Sequence, residues 1–105
     1  MNGRFIVAFT PRASREVAEA KRWWRANRTK APNALEEELR TTLDLIATTP
    51  SIGSVARNVT LPGVRRIFLN RVNYFLYYRP RAESRMVEVV ALWHARRGTG
   101  PRLYK

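Results

Sequence analysis

At 105 residues, 45% of them hydrophobic and including three Trp, four Tyr and four Phe, the chain is sized for a single domain over residues 1–105 and lacks the composition of a disordered basic tail. It has no Cys and one His, which excludes a disulfide framework, thiolate chemistry and a zinc site, so neither a metal nor a cofactor is expected. The formal charge of +12 is uneven: residues 1–50 hold nine basic and six acidic side chains, residues 51–105 eleven and two, so the second half should face an anionic partner.

Residues 4–9 (RFIVAF) read as a strand running straight into Thr10-Pro11, an N-cap followed by proline at the first helical position. From residue 11 to about residue 28, Ala13, Val17, Ala20 and Trp24 recur at helical spacing and predict an amphipathic helix. The adjacent Trp23 sits about 100° around the helix from Trp24, so only Trp24 fits the core stripe and Trp23 is left for a partner or the rim. Pro32 is expected to open a second helix with Leu35, Leu39, Leu43 and Ile46 inside, and Glu36, Glu37 and Glu38 near the positive end of its dipole. The short connection makes an antiparallel helical hairpin.

Residues 51–63, with two Gly and Pro62, read as a loop. Strands are then expected at 64–69, 72–78 and 85–93, joined by short turns into an antiparallel meander. In VNYFLYY both alternating faces are apolar, as in a central strand covered by helices on one side and by something else, such as a partner, on the other. Residues 94–105 read as a basic edge or arm. The fold class is therefore α+β, ordered β-α-α-β-β-β, with an N-terminal helical hairpin packed on a small, mostly antiparallel sheet. The N-terminal apolar run is too short for a signal peptide and nothing reaches membrane length, which predicts a cytoplasmic protein without membrane contact.

Four fragments carry a family resemblance in this order: FTPRA (9–13), PSIG (50–53), VRRIFLNRVNYFLYYRP (64–80) and VEVVALWHARRGTGPRLY (87–104). With Tyr74-x-x-x-Tyr78 on the central strand and His94-x-x-Arg97 after the last, the chain resembles the RelE/ParE toxin superfamily of type II toxin–antitoxin systems. The resemblance implies one of two activities: ribosome-dependent mRNA cleavage, as in RelE-like members, or inhibition of DNA gyrase without hydrolytic chemistry, as in ParE-like members. It also implies neutralisation by an acidic, ParD-like antitoxin with a DNA-binding N-terminal domain, in a hetero-oligomer.

RNA cleavage by 2′-OH attack needs a proton acceptor, a proton donor and cations on the phosphate. RelE-like chains resemble one another in placing an arginine directly after the central tyrosine, but here Phe75 follows Tyr74. That departure and the WHARRGTGPRL ending favour a ParE-like gyrase inhibitor with no catalytic residues over a ribosome-bound nuclease. Target contacts are expected from Arg65, Arg66, Arg71, Arg79, His94, Arg96 and Arg97, with Tyr104 near an expected aromatic position. Antitoxin contacts are expected from Trp23, Tyr74 and Tyr78.

Seventeen of the twenty basic residues are Arg, suited to bidentate grips on phosphate or carboxylate. Arg65 and Arg66, being adjacent on a strand, must point to opposite faces. Even alternation puts His94 on one face with Leu92, Val90 and Glu88, with Glu88 about 20 Å away and out of reach as an acid–base partner. A reading from another class is a module that stacks single-stranded bases on Tyr74, Phe75, Tyr77 and Tyr78.

Overall fold

The computed structural model describes residues 3–98 and 100–103. In chain order the elements are β1 (Ile6–Phe9), α1 (Pro11–Asn27), α2 (Ala34–Thr48), β2 (Ser54–Val55), β3 (Arg65–Leu69), β4 (Tyr74–Arg81) and β5 (Met86–His94). Thr10 Oγ1 accepts the Ala13 N–H at 3.1 Å and Pro11 follows, so the predicted cap ends β1 and starts α1 in one step. Trp24 is buried, and its indole N–H donates to the Ala31 carbonyl at 2.8 Å, tying the helix to the linker behind it. The second helix begins at Ala34 instead of Pro32, because Ala31 and Ala34 close successive turns onto Arg28 and Ala31 that take the proline into the linker.

The sheet order is β1-β5-β4-β3-β2. β3, β4 and β5 form the expected meander, whereas β1 lies parallel to β5 along Ile6↔Met86 to Phe9↔Val89. β2 pairs antiparallel with β3 inside the segment expected to be loop, making five strands. The helical hairpin covers one face, where Ala13, Trp24, Leu35 and Ile46 bury Leu76, Tyr78, Val89 and Leu92.

The opposite face has its own cover. Ala56, Val64 and Leu103 close over Tyr77, Val90 and Ala91. The Leu61 N–H and Thr60 Oγ1 both donate to the Leu103 carbonyl, at 3.1 and 2.6 Å, and pin the 56–64 segment to the tail. So the second face of the central strand is covered by the chain itself over most of its length, and only one end remains open.

A bulge decides which face the last residues of β5 reach. Tyr77 pairs with Ala91 but Tyr78 with Val89, so Val90 is an extra residue in the ladder. After it the alternation changes parity: His94 and Leu92 face the helices with Val89, while Val90 and Glu88 face away. The even alternation that grouped His94 with Val90 and Glu88 is thereby overturned.

Candidate functional site

At the uncovered end of the outer face, the register aligns Phe68, Phe75 and Trp93 across β3, β4 and β5. Phe68 and Phe75 lie 5.0 Å apart between ring centroids, and Phe68 is 41% exposed. Two guanidinium groups flank the row: Arg66 lies 4.3 Å over Phe75 and Arg97 4.0 Å over Trp93. A recess of about 250 Å³ continues it toward the sheet edge, where Ile52 and Val55 are exposed beside Phe68. Trp93 Nε1 is buried without an acceptor among the described residues. One exposed and two partly buried rings with arginines held over them, and Lys and Glu absent from the row, are the composition of a protein-binding patch centre.

The other arginines of the expected target set are engaged elsewhere. Arg65 points to the helix side and donates to the carbonyls of Gly53 at 2.6 Å and Ser51 at 3.2 Å, anchoring the turn before β2. Arg71 pairs with Glu37 and Arg79 with Glu88, each at 3.3 Å. Arg96 is exposed, and its backbone N–H donates to His94 Nδ1 at 3.2 Å. Only Arg66 and Arg97 meet on the aromatic row. Tyr104 lies outside the described residues.

The expected antitoxin contacts also separate. Tyr78 is 0% exposed, and its hydroxyl accepts from the Gly53 N–H and donates to the Pro50 carbonyl, both at 2.8 Å, so it is a core pillar and offers no contact surface. Trp23 is 46% exposed with Arg28 over its ring, and Tyr74 is half-buried and meets His94 edge-on at 5.0 Å. Trp23, Tyr74 and His94 line a groove of about 290 Å³ between α1 and the helix side of the sheet, with Arg97 at its margin. Sequence reasoning treated Phe75 as a missing cation or as one of four base-stacking rings with Tyr74, Tyr77 and Tyr78, and did not single out Phe68 or Trp93 as its row. The usable signal was that each lies on the same strand face as an arginine.

Burial, then Arg96 and Arg97, hold the His94 imidazole below its ordinary pKa of 6.5. Since Nδ1 accepts from Arg96, the neutral ring carries its proton on Nε2 and offers a donor, not a base. The folded pKa is depressed, so the neutral ring's contribution is complete above pH 6.5 and is lost as pH falls through the folded value. We expect an NMR titration midpoint for His94 below 6.5, moving upward in Arg97→Ala. A midpoint unchanged by Arg97→Ala would show that the guanidinium does not act on the ring.

The sequence model of a family described as the ParE toxin of type II toxin-antitoxin system, parDE, matches residues 7–98. No curated protein matches the chain in sequence. Among solved structures, the chain is similar to the chromosomal ParDE toxin–antitoxin system from P. aeruginosa, with TM-score 0.66, 14% identity, and coverage of 87% of this chain and 96% of that one. It is similar to the isolated E. coli RelE toxin, with TM-score 0.62, 24% identity, and coverage of 90% and 87%. The intact E. coli RelBE toxin-antitoxin complex gives TM-score 0.61 at 23% identity, covering 89% of this chain and 99% of that one. At these identities the likeness is one of fold.

Proposed function

Because the chain belongs to the ParE toxin family of type II toxin–antitoxin systems, we propose that it arrests growth by gripping DNA gyrase with the Phe68–Phe75–Trp93 row, and that a cognate acidic antitoxin neutralises it. The observation that carries this reading is the make-up of the uncovered sheet end: aromatic rings with a guanidinium over two of them, and, among the described residues, no histidine or carboxylate in the row. His94 lies on the other face, and its free nitrogen is a donor. Glu88, the acidic residue on the outer face of β5, is paired with Arg79 and Arg81. A patch of this kind binds by burying rings and pairing arginines with carboxylates, without breaking a bond.

Purified protein is expected to inhibit gyrase supercoiling in vitro, and its induction is expected to leave cellular mRNA without new 5′ ends by primer extension. New ends with supercoiling unaffected would replace this reading by RelE-like cleavage. Tight, salt-sensitive binding of single-stranded RNA with neither effect would replace it by a nucleic-acid module.

A further inference from the structure

β5 outruns its neighbour. β1 pairs with it only from Met86 to Val89, and the Thr10 N–H closes that ladder on the Val89 carbonyl at 3.0 Å. Beyond the bulge, residues 92 and 94 turn their backbone groups toward the line that β1 has left, since the Ala95 N–H is directed to Asn73 on the β4 side. Two of the four groups on this side are taken. A carboxylate from α1 stands in for the missing strand: Glu16 Oε1 accepts the Leu92 N–H at 3.0 Å, while its other oxygen is held by Arg12 at 3.1 Å. The His94 carbonyl accepts from the Arg97 N–H at 3.0 Å.

The remaining pair is the Leu92 carbonyl and the His94 N–H, which have no partner among the described residues. This pair selects a strand direction. An antiparallel residue exchanges both bonds with one residue opposite, and here neither Leu92 nor His94 has both groups open. A parallel residue opposite Trp93 donates to the carbonyl before it and accepts from the N–H after it, which are the two open groups.

We propose that β5 carries a parallel strand-addition slot at Leu92–His94, continuing the line of β1, and that its occupant is an extended acidic segment of the neutralising partner. Side chains flanking the paired residue enter the groove against Ala20, Trp23 and Tyr74, and so are apolar. The paired residue points to the outer face, beside the Arg97 guanidinium on Trp93, with exposed Arg96 nearby, and so is acidic. The surplus of basic over acidic residues, eleven to two in 51–105, draws an apolar–acidic–apolar segment to this end of the sheet. The slot rests on the antitoxin reading above and gives it a site and a direction.

The test uses the full chain and the peptide acetyl-Val-Leu-Asp-Val-Thr-amide at millimolar concentration, read by backbone NMR. The expected result is that the signals of residues 92–94 shift and that exchange of the His94 amide slows about tenfold, the weight of one added backbone bond. The same peptide N-methylated at Asp, and one with Lys in place of Asp, should do neither. Equal effects from the N-methylated peptide, shifts confined to other residues, or no shift at all would overturn the slot. Co-expression with the product of the neighbouring gene separates the two levels. Rescue of growth with the His94 amide unprotected in the complex removes the slot alone, and absence of rescue removes the antitoxin reading.

Discussion

Replacing Arg66 and Arg97 together by glutamate is expected to abolish growth arrest and gyrase inhibition while leaving the domain folded. Each guanidinium is held over a ring of the row, at 4.3 Å and 4.0 Å from the ring centroid, so each loses little freedom when a partner closes over it. Arginines so placed typically contribute about 2 kcal/mol to binding, a factor of roughly 30 each. Reversing both charges should therefore weaken inhibition by about 1,000-fold, beyond the range of a supercoiling assay. The loss to folding is small by comparison: a stacked cation contributes about 0.5–1 kcal/mol at such exposure, and the bond from Arg66 to Tyr77 Oη is long at 3.5 Å. Arg71→Glu is the matched control, since Arg71 is exposed in the turn between β3 and β4 and its guanidinium is paired with Glu37 on α2, away from the rings of the row. A double variant that still arrests growth at the wild-type level, with its melting temperature held, would show that the target docks elsewhere.

Some of this site was legible in the sequence and some was not, for reasons that differ by residue. Local chemistry was readable: Thr10-Pro11 caps a helix wherever it occurs, and Ala13, Ala20 and Trp24 mark its buried stripe without reference to the rest of the chain. The meander of β3, β4 and β5 follows from the same kind of local information, alternating residues between short turns. Long-range pairing was not readable. β2 is a two-residue strand in a Gly- and Pro-containing segment, stabilised by Arg65 and Arg66 across from it and not by propensity of its own. The parallel contact of β1 with β5 joins opposite ends of the chain, and no periodicity reports it.

The bulge at Val90 is a single unmarked residue among valines, yet it moves His94 from one face of the sheet to the other. Tyr78 was misassigned for a related reason. Tyr77 and Tyr78 look equally available in a strand with apolar character on both faces, and only the cover on each side buries both.

Tyr78→Phe is expected to cost about 2–3 kcal/mol, because removing one buried hydroxyl leaves both the Gly53 N–H and the Pro50 carbonyl without the partner each meets at 2.8 Å. In a domain of this size that is a fall of roughly 10 °C or more in melting temperature. Gly53→Ala attacks the same joint from the other side: a Cβ there would stand 2.7 Å from Tyr78 Oη and 2.8 Å from the Arg66 carbonyl, and the second contact is backbone that cannot swing away. The two changes share one contact, so they should not add. In the Tyr78→Phe background the phenol oxygen, the nearest of the opposing atoms, is gone, and the new methyl meets the Arg66 carbonyl and the ring Cε1 at 3.0 Å, which predicts a coupling of about 1 kcal/mol in a double-mutant cycle.

An alkaline test is independent of that cycle. Burial raises the Tyr78 phenol above its ordinary 10.0, so its contribution is complete below pH 10.0 and is lost as pH rises through the folded value. Tyr78→Phe should remove that part of the alkaline destabilisation. The joint matters to function because the Pro50–Gly53 turn, held by Tyr78 and Arg65, leads into β2 and so sets the edge against which Arg66 and Phe68 are presented. Additive losses in the cycle, or an alkaline limb unchanged in Tyr78→Phe, would show that the hydroxyl does not bridge the two backbone groups in solution.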